Sequence, residues 1–341
     1  MAQPGLEFFA RRGVLLKAEV NEGDDPLPVA GVDGFMLYEG SSSTEVDIVE
    51  LPEDKPHFGN DDFIVATRRA TIQGGFLLMP PSAPGNASTT GDAYAQRVLF
   101  PAGFAAAKDL PNKITRYNPI SSAIPSLTGY WYHGGTLLKP KGARVNVSGA
   151  GIEIGQRAMG QATITGEYTD VSASAVPTIT RPIVTPVVSS KRNSELILAT
   201  LVRGATASTS GVPLVGLHTW GKYLRFDLGN AMGYREFTEH GATRITQRKA
   251  TFSLRIAQTD IAADFNPWFV RDNGIVMTAA YRLYESDSKV GLYTEIYVRG
   301  KIEQITEADA DGDKVFDITG RCLPSPAGND ELYIAFGDTT P

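Results

Sequence analysis

Short runs of alternating apolar and polar residues, rich in Val, Ile and Thr and closed by Gly, Asn or Asp, recur along the whole chain. ARVNVSG (143–149), GQATITGEYTDV (160–171), KYLRFDLGN (222–230) and KVFDITGRCL (314–323) are examples. A period of two puts successive side chains on opposite faces of a strand. The turn residues between runs stop each strand after a few positions. The 35 glycines and 21 prolines supply those turns. The pattern predicts a mainly β fold of many short antiparallel strands.

Length and charge narrow the classes further. At 341 residues the chain is long enough for two domains or one large β-domain. A hydrophobic fraction of 42% supports real cores. A net charge of −6 argues against a protein whose task is to grip nucleic acid, since that needs basic patches; it does not exclude one that DNA slides past. A single cysteine, Cys322, cannot form an intramolecular disulfide and reads as a small buried residue. The apolar runs of the N-terminal stretch are interrupted by Arg11, Arg12, Lys17 and Glu19, unlike a signal peptide. No run of about 18–20 apolar residues is present to span a bilayer. Synthesis in a cytosol is the expectation.

Along the chain, residues 13–20 and 33–39 read as opening strands. A long polar stretch, 41–62, follows and reads as the loop of an extended hairpin. Residues 91–109 read as a helix capped by Asp92 and ended or kinked by Pro101. Three strand-like runs follow. Residues 171–190, with prolines among β-branched residues and almost no charge, read as a linker or edge strand. Then come strands at 195–202 and 222–230, a polar connection at 229–244 and a further strand. A short helix at 264–273 has Asn266 at its N-cap, Pro267 in the first position and Gly274 closing it. Alternating strands run to the end.

Two short matches relate the halves. Arg68-Arg69-Ala70-Thr71 aligns with Arg248-Lys249-Ala250-Thr251, 180 residues later. Ile164-Thr165-Gly166 aligns with Ile318-Thr319-Gly320, 154 residues later. The first copy therefore carries 26 more residues between the motifs, a surplus placed around 80–130. The reading is two tandem β-sandwich or barrel domains, residues 1–175 and 191–341, each with one flanking α-helix and a long hairpin loop. Residues 176–190 join them.

The search for chemistry finds no catalytic constellation. His57, His133, His218 and His240 fall in no metal-ligand spacing, and no nucleophile elbow occurs. VSGAGIEIG (147–155) leads into strand rather than helix, so it is a glycine-rich hairpin and not a dinucleotide loop. ADADGDKVFD (308–317) departs from a calcium loop at Lys314 and Gly320 and reads as a turn around Asp311-Gly312. Tyr130-Trp131-Tyr132 invites a sugar-platform reading, but core packing is the stronger one; Trp268 is likewise an anchor for its helix. An enzyme is not expected, and no cofactor is implied.

LLKAEVNEGDDPLPVAGVDGFML (15–37), RYNPISSAIPSLTGYWYHGG (116–135) and KYLRFDLGN (222–230) resemble segments of the major tail tube proteins of long-tailed, siphovirus-type bacteriophages. Those proteins often open on a strand with Lys-x-Glu, here Lys17 and Glu19, followed by a Gly-Asp turn and a proline. The likeness is loose but spans nearly the whole chain. It implies a β-sandwich or barrel with one helix and a long hairpin loop. It also implies stacked rings of six positions around a DNA channel. Two tandem copies would fill those positions with three chains. The expected partners are the chain itself, a tape measure protein, a tail terminator and distal tail proteins, with DNA in transit and unbound. Candidate ring-stacking groups are Glu45, Asp47, Glu50, Glu53, Asp54, Asp61 and Asp62 in the acidic loop, and Arg68, Arg69, Arg248 and Lys249 at the start of the strands that follow the long loops. The alternatives are another virion protein, such as a baseplate, distal-tail or capsid decoration protein, and a carbohydrate-binding β-protein.

Overall fold

In the computed structural model of the chain the alternation seen in the sequence becomes a burial pattern. The structure describes residues 12–51, 60, 62–80, 93–168, 170–179, 187–201, 217–237, 240–258, 265–310 and 312–339. The first half contains β1 (Arg12–Ala18), β2 (Gly34–Phe35), β3 (Tyr38–Leu51), β4 (Asp62–Leu77), α1 (Ala93–Leu99), β5 (Phe104–Asp109) and β6 (Ile114–Pro119). It continues through β7 (Leu127–His133), β8 (Thr136–Leu138), β9 (Lys141–Glu153), β10 (Met159–Glu167) and β11 (Val171–Ala173). The second half contains β12 (Ser194–Leu201), β13 (Leu217–Thr219), β14 (Gly221–Asp227), β15 (Asn230–Phe237), β16 (His240–Arg248), β17 (Thr251–Ala257) and α2 (Pro267–Asp272). It ends with β18 (Val276–Tyr284), β19 (Leu292–Ala310), β20 (Asp313–Cys322) and β21 (Leu332–Asp338). On β17, Phe252, Leu254 and Ile256 are buried while Thr251, Ser253 and Arg255 are half-exposed.

Eight strands form one antiparallel layer that crosses both halves, in the order β3–β4–β10–β9–β14–β17–β20–β19. Behind its first half lies β2–β1–β7–β8–β11, which turns the corner at the single pair Leu127–Ala143 between β7 and β9. Behind its second half lies β13–β12–β18–β19–β21–β6–β5. The long strand β19 serves both layers. Its residues 292–300 lie between β18 and β21, and residues 300–310 pair with β20. The core between the layers is continuous and takes Ile72 and Ile164 from one half and Leu254, Phe316 and Ile318 from the other. Burial on this scale, at about 25 cal/mol per Å², is the main term holding the layers together.

The strand order is the same in both halves. The series β3–β4–β10–β9, then β7–β1–β2, has its counterpart in β14–β17–β20–β19, then β18–β12–β13. A helix follows the second strand of each series, and β11 flanks β8 as β21 flanks β19. Each half adds one hairpin that the other lacks. β5–β6 is inserted between α1 and β7, where the sequence surplus was placed, and β15–β16 between β14 and β17. The Ile-Thr-Gly triplets occupy matching places, with Ile164 opposite Ile72 and Ile318 opposite Leu254. The basic motifs do not. Ala70 faces Gly166 but Phe252, not Ala250, faces Gly320, so Arg68-Arg69 and Arg248-Lys249 stand two residues out of register.

Several sequence expectations are corrected. The stretch read as a loop at 41–62 is strand up to Leu51 and again from Asp62, so the hairpin is a ladder for most of its length. Apart from residue 60, its turn at 52–61 lies outside the described residues. Arg68 and Arg69 sit midway along β4 rather than at its start, and Arg248 ends β16. The helix read over 91–109 stops at Leu99. Gly103, at φ +91°, turns the chain, and Phe104–Asp109 pairs with β6 because burying Phe104 outweighs the helix propensity of Ala105–Ala107. Asp92 lies outside the described residues. The polar connection at 229–244 is the β15–β16 ribbon. Within 171–190, residues 171–173 form edge strand β11, and 180–186 lie outside the described residues. By contrast, α2 has the predicted caps: Asn266 Oδ1 accepts from Phe269 N at 3.0 Å, and Trp268 stacks edge-to-face on Phe316 at 5.0 Å.

The two triplet glycines are set by close approach. A Cβ on Gly166 would stand 2.6 Å from the carbonyl oxygen of Lys141, and one on Gly320 would press closer still on that of Lys301. Both oxygens belong to backbone and cannot move aside cheaply. Gly166→Ala and Gly320→Ala are each expected to cost about 1–3 kcal/mol in urea unfolding, whereas Gly31→Ala, with open space around it, leaves the midpoint unchanged. A neutral result at both glycines would show that the crowding is not there.

Candidate functional site: the polar face of the eight-stranded layer

The layer has two faces because its strands alternate. One face enters the core. The other presents Ser41 and Ser43 from β3, Thr71 and Gln73 from β4, Gln161, Thr163 and Thr165 from β10, and Asn146 and Ser148 from β9. Beyond the junction of the halves it continues through Thr251 and Ser253 of β17 and Thr319 of β20. Hydroxyls meet across strands, as in the 3.3 Å contact of Thr71 with Thr165. A face of hydroxyls and amides is hydrated and carries no fixed charge.

Four arginines on this face are each matched by a carboxylate on a neighbouring strand. Arg69 of β4 donates to Asp47 of β3 at 2.6 Å. Arg225 of β14 pairs with Glu153 of β9 across the junction. Arg255 of β17 holds both oxygens of Asp317 on β20, at 2.5 and 2.6 Å. Arg321 of β20 meets Glu303 of β19 at 2.6 Å. Such exposed pairs contribute only about 0–1 kcal/mol each to stability. Their larger consequence is electrostatic, because a guanidinium already paired with a carboxylate is a poor phosphate ligand.

The Arg255–Asp317 pair is the most elaborated. Tyr223 donates to Asp317 at 3.2 Å, and its ring lies beneath the guanidinium groups of Arg225 and Arg255 at 5.1 and 5.5 Å. The hydrogen bond from Arg255 holds the Asp317 carboxyl below its ordinary value, and the same bond raises Arg255. Burial pushes the Tyr223 hydroxyl up. At the other end of the layer a hydrogen bond from Thr67, then Arg69, lowers Asp47.

The predicted stacking groups are distributed unevenly. Glu45, Asp47, Glu50 and Asp62 lie on the β3–β4 arm, whereas Glu53, Asp54 and Asp61 lie outside the described residues. Arg69 is neutralised by Asp47 within the same hairpin. Arg68 is exposed opposite Val46. Arg248 is anchored to Glu331 at 2.8 Å and to the Ile120 carbonyl at 2.9 Å. Lys249 is exposed beside it. Both line a cleft of about 830 Å³ between the first half's 120–124 turn and the second half, with Arg321 on the same wall. Sequence reasoning missed the Ser/Thr rows and the Tyr223–Arg255–Asp317 group. Their signal was present in the outward positions of each alternating run, Gln161-x-Thr163-x-Thr165 and Thr251-x-Ser253-x-Arg255.

Other candidates resolve plainly. Tyr130, Trp131 and Tyr132 are all buried, so the triplet offers no open sugar platform. Cys322 is buried, and burial drives its thiol pKa up. Residues 310 and 313 pair directly across Gly312 at φ +92°, so the Asp-rich stretch is a tight hairpin. Among the described residues no cluster of His, Cys, Asp or Glu is placed to hold a metal, and no helix is long and apolar enough to cross a membrane.

A depressed carboxyl stabilises the fold above its ordinary pKa, near 3.8, and loses that contribution as pH falls through the folded value. Asp317→Asn is therefore expected to lower stability by about 1 kcal/mol at neutral pH and to shrink the drop in Tm between pH 5 and pH 3. An unchanged acid profile would mean that Asp317 is not held by Arg255. A comparison with protein-family profiles finds no match for this chain, and a search of curated proteins finds no similar one.

Proposed function

We propose that the chain is a structural tail tube protein of a long-tailed bacteriophage. In this reading residues 1–175 and 191–341 are two copies of one tube unit, and residues 176–190 join them. Three chains complete a ring of six units, and rings stack into a tube through which DNA passes. The role is architectural, without catalysis or a cofactor. The virion tail is its location, and the tape measure, terminator and distal tail proteins are its neighbours. The observation that carries the reading is the polar eight-stranded layer, continuous across two halves of identical strand order.

Channel physics supports it. Each half contributes four strands to the layer, so six halves give 24. At about 4.8 Å between strands a closed sheet of that number is at least about 37 Å across between backbones, wider once the strands tilt. A lumen of hydroxyls and amides, with arginines matched by carboxylates, holds a phosphate weakly, and the acidic balance of the chain adds repulsion.

The β3–β4 arm supports stacking. Val46, Ile48, Val49, Phe63, Ile64 and Val65 are 38–56% exposed along it. A two-stranded ribbon with this much bare apolar surface is marginal alone and gains from a partner. We place its acidic groups, Glu45, Glu50 and Asp62, against Lys249 at the cleft of a chain in the next ring.

Negative-stain microscopy with light scattering tests the ring. Hollow rings or tubes and a mass three times 36.7 kDa are expected; a chain that stays monomeric at high concentration and shows neither form argues against the assignment. Lys249→Glu is expected to shorten tubes at least several-fold while ring mass is kept. Normal tube length would place the stacking contact elsewhere.

A further inference from the structure

The eight-stranded layer has two ends, and both are unpaired among the described residues. β3 pairs only with β4, and residues 301–310 of β19 pair only with β20. Unpaired edges expose rows of N–H and C=O groups that template another strand. The chain itself contains one example of what such a template takes. At the junction of the halves the outer edge of β9 receives β14, with Ala150, Gly151, Ile152 and Glu153 opposite Phe226, Arg225, Leu224 and Tyr223. The bonds from Leu228 N to Val147 O and from Ile154 N to Lys222 O, both 2.9 Å, extend that ladder at each end.

The free ends are the counterparts of this joint. Ser42 faces Ile72, which faces Ile164; Leu224 faces Leu254, which faces Ile318. Ser42 on β3 therefore holds the place of Leu224 on β14. In the same way Gly151 faces Met159 and Ala310 faces Asp313, so the end of β19 holds the place of the end of β9. Residues 41–46 of β3 are all exposed, whereas Leu224, Phe226 and Leu228, which hold the places of Ser42, Thr44 and Val46, are 0–1% exposed in the core.

We propose that the edge of β3 between Gly40 and Val46 pairs antiparallel with the end of β19, residues 307–310, in a second copy of this chain. The transferred register sets Ser43 opposite Ala310 and Thr44 opposite Asp309. The contact is head-to-tail, with different surfaces on the two partners, and such contacts close into a ring when the rotation allows. Two edges that a lone chain leaves open are thereby removed. The inference rests on the ring reading for its closure, and it adds the strands, the register and the residues.

A cross-link tests it, since directly opposed residues on antiparallel strands lie within disulfide reach. Ser43→Cys with Ala310→Cys is oxidised in the full chain, where the native Cys322 is buried. Most of the monomer band is expected to shift, on a non-reducing gel, to linked dimers and a closed three-chain product. Reductant should reverse the shift, and the single variants should lack it. Thr44→Cys with Asp309→Cys reports the same register one residue along and guards against a misfolded first variant. Ser43→Cys with Glu307→Cys, out of register, should remain unlinked. Rings without cross-links from either in-register pair overturn the joint and leave the ring reading standing. A wild-type chain that never assembles overturns both.

Discussion

The ladder between β9 and β14 is the constraint on which the rest depends. Without it the front layer would break into two four-stranded sheets, each with an open edge where the halves meet. With it, eight strands share one sheet, one twist and one core. The price of this continuity is register, because a slip of one residue would turn every apolar side chain of β14 toward water. Side chains fix that register at both ends. Arg225 of β14 meets Glu153 of β9, Asp227 accepts from the Gly149 amide, and the Asn230 amide donates to Asn146.

A sheet with one face in the core could have left its other face to be covered or to vary freely. Here that face combines two features with different causes. The Ser and Thr rows follow from strand propensity, since β-branched Thr suits a pleated surface whether or not it is buried. The ion pairs follow from cross-strand geometry, since opposed positions lie close enough for Arg to reach a carboxylate. Neither feature adds much stability. Together they give a surface that is hydrated yet locally neutral, which suits a wall that a polyanion must slide along.

Much of the fold was legible because it rests on local rules. The period of two located most strands. The caps of α2 were readable from Asn266, Pro267 and Gly274, since those roles depend on single side chains. The Ile-Thr-Gly triplets fall at matching places in the ladder. What failed depended on long-range pairing. Residues 41–51 read as loop because Ser and acidic residues dominate them, and only β4 holds them in a strand. Ala105–Ala107 reads as helix and is strand because β6 is there to pair with it. The basic pairs matched in sequence but not in the ladder. A four-residue resemblance carries no information about register, whereas a buried glycine under a neighbour's carbonyl does. The polar face was legible in principle, as the outward half of each alternation. Which outward positions face one another could not be read before the strand order was known.

The hairpins that each half does not share make the two joints of the proposed ring unequal. Within the chain, β5–β6 of the first half reaches across to β21 of the second, where Thr115, Arg116 and Tyr117 lie opposite Phe336, Ala335 and Ile334. The Glu22 carboxylate of the first half likewise receives Arg244 from β16 of the second at 2.6 Å. At a joint between chains neither tie is repeated. Only residues 273–275 separate α2 from β18, too few to form a hairpin over a neighbour's β11. The joint within the chain therefore has more hydrogen bonds, more ion pairs and the benefit of covalent linkage, which raises the effective concentration of its partners. A ring built this way opens between chains and not within them. In the proposed ring the fused pair of units would therefore outlast the joint between chains.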